Sequence, residues 1–158
     1  MRYEKIQALR QALHQCPERS DQEHETIEKL KLFLQKNTTL ELHPKDGWFY
    51  ALHREEQATQ TIAVRADMDA IENSHGQLFH GCGHDGHSAI LAGLGLALEG
   101  QTWGKNVCLV FQPGEETGTG GKRVCRELSF TVFSSVDLKN WKDEGVMLDL
   151  KSDQVPWA

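Results

Sequence analysis

The chain has 158 residues, 39% of them hydrophobic and 25% charged, with a net charge of −6 at pH 7. That is the length of one domain with enough apolar material for a core, and the negative balance argues against nucleic acid or an anionic membrane surface as partner. No apolar run approaches the ~20 residues of a bilayer-spanning helix, and Met-Arg-Tyr-Glu-Lys-Ile-Gln at the N-terminus lacks the apolar stretch of a secretory signal.

Ile6, Leu9 and Leu13 recur at helical spacing, which predicts a helix over 2–15 that ends ahead of Pro17. Ser20-Asp-Gln-Glu23 reads as a capping box opening a second helix, with Ile27, Leu30 and Leu34 as its buried stripe. Leu40–His43 and Trp48–His53 flank Pro44-Lys-Asp-Gly47 and predict a strand pair. Thr61–Asp67 reads as a short buried strand ending in carboxylates, Asp67 and Asp69. Ser88–Glu99 is an apolar run of helical length, and its alternation Ala92-Gly-Leu-Gly-Leu-Ala97 predicts close helix packing. Val107–Gln112 is a second apolar strand, followed by a helix from Gly120 to Leu128 and a strand from Phe130 to Val136. Alternating strands and helices with apolar central strands predict a three-layer α/β/α sandwich with a mostly parallel sheet. In such a sheet the site forms at the carboxyl ends of the strands.

Four cysteines, Cys16, Cys82, Cys108 and Cys125, lie far apart with no CxxC pair. This composition points to a reducing, cytoplasmic setting and to no disulfide framework. Cys108 sits in an apolar strand and is expected to pack as a small hydrophobe. Of the histidines, His14, His24, His43, His53 and His75 are assigned to the surface or to local hydrogen bonds, while His80 and His87 stay open.

Chemistry concentrates in His80-Gly-Cys-Gly-His-Asp-Gly-His87, where imidazoles, a thiol and a carboxylate are interleaved with glycines at the entrance of the apolar helix. Cys82 and His84, two residues apart, can converge on one ion, with Glu116 from the Pro113-Gly-Glu-Glu116 loop as a third ligand. Glu115 then serves as general base on water activated by the metal. Asp67 suits a supporting role, orienting a ligand or its neighbour. A Glu-Glu pair is ordinarily a solvated loop, and a Cys-x-His pair alone is more often structural. The reading therefore rests on three polar groups arriving at neighbouring strand ends. Zinc, manganese and cobalt are all compatible with these donors.

Four ordered motifs, Leu13-His-x-x-Pro-Glu18, Ala63-Val-Arg-Ala-Asp-Met-Asp-Ala70, His80-Gly-Cys-Gly-His-Asp-Gly-His-Ser-Ala89 and Val110-Phe-Gln-Pro-Gly-Glu-Glu116, resemble the aminoacylase–hippurate hydrolase family of metal-dependent amidohydrolases. The resemblance covers roughly residues 5–125. It implies an α/β catalytic domain with two divalent metals per site, a small-molecule N-acyl amino acid substrate, and homodimerisation in intact members. Cys82, His84 and Glu116 match family ligands, Glu115 the general base, and Asp67 the supporting carboxylate.

The departures shape the expectation for this chain. Family members are more than twice as long, with a lid domain and a C-terminal segment carrying a last histidine ligand. The Leu-His-Asn motif that brings a further ligand is replaced by Leu138-Lys-Asn140, and the proline expected after Asp-Ala-Leu is missing. An ammonium at Lys139 cannot coordinate a metal. Residues 1–158 are accordingly expected to be a single partial catalytic domain, truncated and impaired as a hydrolase. The alternative from another class is a non-catalytic metal-binding remnant or interaction module.

Overall fold

The computed structural model describes residues 2–127, 130–134 and 142–148. Two helices open the chain, α1 (Arg2–His14) and α2 (His24–Asn37), with Leu9, Leu13, Leu30 and Leu34 turned into the core. A hairpin follows, β1 (Glu41–Lys45) and β2 (Trp48–His53), then β3 (Thr61–Asp67) and a small ladder of β4 (Ile71–Glu72) with β5 (Leu78–Phe79). The chain continues through α3 (His84–Leu98), β6 (Asn106–Gln112) and α4 (Thr119–Glu127), and β7 (Phe130–Ser134) pairs antiparallel with β8 (Lys142–Leu148). Val136, Leu138, Lys139 and Asn140 lie outside the described residues.

The main sheet has the order β1-β2-β6-β3. The α/β class holds, with one difference in detail: the four described strands form a mixed sheet, antiparallel at β1·β2 and β2·β6 and parallel only at β3·β6. The parallel pair is the one joined through α3, since a parallel connection needs a crossover whereas β1 and β2 are joined by a tight turn.

β6 is the sheet's buried axis. Val107, Leu109 and Phe111 face the cluster formed with α1, α2 and α3, while Cys108 and Val110 face Trp48 and Val124 on the other side. Helices thus cover both faces, giving three layers. Phe49 of β2 stacks on Phe111 at 4.5 Å between ring centroids. Cys108 does pack as a small apolar residue, and burial pushes its thiol up to about 11.

Two expectations are corrected. β3 is not a buried strand: Thr61, Ile62, Ala63 and Arg65 are exposed, and only Ala66 and Asp67 at its carboxyl end are enclosed. Among the described residues it pairs with β6 alone, so it is an edge, and α3 shields only part of one face. The capping box does not form either. Glu23 precedes α2 without making a side-chain cap, and the Glu18 carboxylate accepts the amides of Glu25 at 3.0 Å and Thr26 at 2.8 Å instead. Ser20 and Glu23 are drawn inward to buried partners, where an unmade hydrogen bond would cost more than a frayed cap.

α3 lies close against its neighbours because of its glycines. A Cβ on Gly93 would stand 2.7 Å from Ile6 Cδ1, and one on Gly95 3.0 Å from Leu40 Cδ1. The glycine alternation read from sequence is therefore packing against α1 and the core, as expected.

Candidate metal centre

β3 and β6 end side by side, with Asp67 opposite Gln112 in register. Beyond β3 the chain passes Asp69, runs through the β4–β5 ladder and returns at His80. Beyond β6 it enters the Pro113-Gly-Glu-Glu116 loop. Between these two exits stands the first turn of α3. Gly83, at φ 77°, is the residue before the helix, a left-handed conformation that side chains disfavour. It lets Cys82 stay outside the helix while His84 becomes its first residue.

Asp69, 1% exposed, is the hub. Its carbonyl oxygen lies 2.8 Å from His84 Nδ1 and its Oδ1 3.1 Å from the same nitrogen. Oδ2 accepts the Ser20 hydroxyl at 2.7 Å and the Glu116 amide at 2.9 Å. A carbonyl oxygen can only accept, so Nδ1 of His84 carries the hydrogen and Nε2 presents its lone pair. Nε2 looks toward Glu115 Oε2 at 3.8 Å and Glu116 Oε1 at 4.0 Å. One donor atom each from Cys82, His84 and Glu116 lies within 4.8 Å of the others. Glu115 stands at the rim with 44% of its side chain exposed, and Cys82 is exposed too.

The electrostatics fit a cation. The Glu116 carboxylate accepts the Cys82 thiol and, with some desolvation and the charges of Glu116, Glu115 and Asp69, pushes that thiol up to about 11. A thiol, an imidazole lone pair and a carboxylate converging where negative charge already accumulates match the N, O and S donors of a divalent ion, and an exposed rim leaves coordination positions open.

Asp67 stands on the other side of His84, with its own partners. It is buried at the strand end, where Oδ1 receives Arg65 Nη1 at 2.7 Å and Gln112 Nε2 at 3.1 Å. Its carbonyl accepts the Ser88 hydroxyl at 2.8 Å. It is Asp69, not Asp67, that hydrogen-bonds His84. The carboxylates two apart were both visible in the sequence, but β3 ends at Asp67 and the extra step carries Asp69 across to α3.

Three further residues have partners that the sequence does not reveal. His14 is exposed, as its surface assignment expects, and its Nδ1 donates to Asp85 Oδ2 at 2.7 Å across 71 positions, beside Arg10 Nε at 3.0 Å. Asp85 is 2% exposed in the first turn of α3, where a carboxylate also complements the helix dipole. These pairs tie the end of α1 to the turn that carries His84. His80 is buried with its ring 6.1 Å from that of His14, and burial holds its pKa below the usual histidine range. Glu23, 2% exposed, accepts the Gly114 amide at 2.8 Å and so anchors the glutamate loop from α2, with burial raising its pKa.

Residues 63–147 match the family model described as Peptidase family M20/M25/M40. N-acetyl-L-cysteine deacetylase of Bacillus subtilis (strain 168) is 36% identical over 134 residues, covering 75% of this chain and 32% of that protein. An uncharacterised hydrolase of Staphylococcus aureus (strain USA300) is 31% identical over 156 residues, 87% of this chain and 40% of its own length. Among solved structures, a Bacillus subtilis protein described as a dinuclear metal binding peptidase from the M20 family superposes with a TM-score of 0.72 at 28% identity, over 78% of this chain and 38% of that one. The chain thus spans about two-fifths or less of the length of the relatives it matches. Among the described residues no helix is long and apolar enough to cross a membrane.

Proposed function

The chain belongs to peptidase family M20/M25/M40, and from that premise we propose that it forms the metal-binding part of a catalytic domain that hydrolyses the amide bond of N-acyl amino acids. The observation that carries this is the convergence of donor atoms from Cys82, His84 and Glu116 within 4.8 Å, with Glu115 beside them at the open rim.

Cys82, His84 and Glu116 would hold a divalent ion, which supplies Lewis acidity toward the acyl carbonyl and toward water. Hydrolysis adds water to the acyl carbon and breaks the C–N bond, so one proton must leave the water and one must reach the amine. Glu115 would do both, a role supported by its Oε2 lying 3.8 Å from His84 Nε2 on a side chain that is 44% exposed. As a carboxylate it takes the water's proton, and as the acid so formed it returns that proton to the leaving nitrogen. Asp69 keeps His84 in the tautomer that presents Nε2, and Glu23 and Ser20 hold the two loops that frame the site.

The substrate class follows the family and the relative that is an N-acetyl-L-cysteine deacetylase. The rival reading, a non-catalytic metal-binding remnant or interaction module, draws on Lys139, which lies outside the described residues. The test is a panel of N-acyl amino acids, N-acetylcysteine included, assayed with zinc, manganese and cobalt. We expect metal-dependent release of the free amino acid that Glu115→Gln abolishes while metal binding persists. Metal binding without turnover in a protein of full family length would favour the rival.

A further inference from the structure

A second set of donors flanks His84. One ligand atom each from Asp67, His84 and His87 also lies within 4.8 Å of the others. His84 and His87 are three apart on α3, one turn of the same face, with ring centroids 5.4 Å apart. Asp67 arrives from the end of β3 and is locked to that turn by the Ser88 hydroxyl on its carbonyl at 2.8 Å. Both hydrogen bonds to its carboxylate fall on Oδ1, which leaves Oδ2 as the oxygen for a cation. Asp67 and His84 are buried and His87 is exposed, so the set is rigid on two sides and open on the third.

We propose that Asp67, His84 and His87 form an alternative cation position that competes with Cys82, His84 and Glu116 for one nitrogen, Nε2 of His84. The inference rests on the reading of Cys82, His84 and Glu116 as metal ligands. Competition follows from the tautomer: Nδ1 carries a hydrogen toward the Asp69 carbonyl, so His84 has a single lone pair to give. The two sets differ in chemistry. A thiolate-containing set suits a thiophilic ion such as zinc, whereas one carboxylate with two imidazoles suits manganese. Metal identity therefore selects the position. The Arg65 guanidinium, 2.7 Å from Asp67 Oδ1, offsets part of that carboxylate's charge and makes this the weaker position. One lone pair cannot serve both positions at once.

Cys82 and His87 are exposed and each belongs to one set only, so substitutions there report on the positions without emptying the core. The experiment titrates the metal-free chain, as wild type, Cys82→Ser and His87→Ala, with zinc by calorimetry and with manganese by electron paramagnetic resonance. We expect Cys82→Ser to weaken zinc by at least about tenfold and spare manganese, and His87→Ala to do the reverse. Zinc should displace manganese from the wild type at one ion per chain. Manganese affinity unchanged in His87→Ala, or zinc and manganese binding additively, overturns the proposal and leaves the metal-ligand reading intact. A wild type that binds neither ion overturns both.

Discussion

The Asp69 carbonyl oxygen and Oδ1 both lie within 3.1 Å of His84 Nδ1, so a single residue, two positions past the end of β3, fixes the tautomer and the aim of the imidazole at the start of α3. The same carboxylate accepts the Glu116 amide at 2.9 Å. Two donors of the candidate centre are thus positioned by one buried side chain, although they come from different loops.

Asp69→Asn should therefore act on metal affinity more than on folding. The amide keeps the size of the side chain and one acceptor oxygen, but its NH2 replaces the other acceptor and the charge behind the imidazole is removed. Loss of such a supporting group lowers metal affinity by about 10- to 100-fold. Calorimetric titration with zinc measures this, and an unchanged affinity would show that the Asp69–His84 contact does not tune the ligand.

The Cys82 thiol, pushed up to about 11 by Glu116, some desolvation and the neighbouring carboxylates, is protonated at pH 7 before a metal binds. A metal binds the thiolate, so binding must expel that proton. Affinity should then rise with pH, by about tenfold per unit between pH 7 and 8 for the one proton. Without metal the sign reverses for stability: the folded thiol sits above its ordinary 9.0, so its contribution is present below that value and is lost as pH climbs toward 11. Zinc titrations in buffers of different ionisation enthalpy count the released proton, and a pH-independent affinity would remove Cys82 from the ligand set.

Glu23 carries a raised pKa because it is buried, so its charged form burdens the fold. The native state then holds its proton more tightly than the unfolded chain, and stability falls as pH rises through the interval between the two values. Glu23→Gln keeps an acceptor for the Gly114 amide and removes the ionisation. The variant should gain on the wild type as pH rises, by about 1.4 kcal/mol for each unit of the shift. Denaturant midpoints at several pH values test this, and a difference that is flat or of opposite slope contradicts it.

Gly120 approaches the loop backbone so closely that a Cβ there would stand 1.5 Å from the Pro113 carbonyl oxygen. Gly120→Ala must displace the loop that carries Glu115 and Glu116, at a cost of about 1–3 kcal/mol. Gly83→Ala meets no atom within 4 Å, and its cost comes only from φ 77°, about 1–2 kcal/mol. Thermal unfolding compares the two, while metal affinity should suffer more from the first, since it moves Glu116.

The sequence was informative where chemistry and structure are local. Cys82 and His84 meet because they straddle one glycine, and the helices, the hairpin and the apolar strand β6 follow from side-chain period. The α/β class follows from the alternation of elements. What escaped was partnership at long range. Ser20 and Glu23 satisfy the spacing of a capping box, but their choice between a helix end and a buried site is decided by Asp69 and Gly114, 49 and 91 positions away. Asp67 and Asp69 look alike as a pair, and only the point where β3 ends tells which reaches His84. His14 is a surface histidine as its context suggests, but its bond to Asp85 exists only because α1 docks on α3. The apolar content of β3 suggested burial, yet exposure depends on how many strands flank it, which no local pattern records.

The most direct test of the metal centre is thermal unfolding of the purified chain across a zinc titration, for wild type and Glu116→Ala. Binding to the folded state alone stabilises by about 2.7 kcal/mol when zinc reaches 100 times its dissociation constant. The wild type should show a rising, saturating midpoint with one equivalent bound, and Glu116→Ala should show it weakly or not at all. A wild-type midpoint that does not move with zinc would mean that Cys82, His84 and Glu116 stand together without holding an ion.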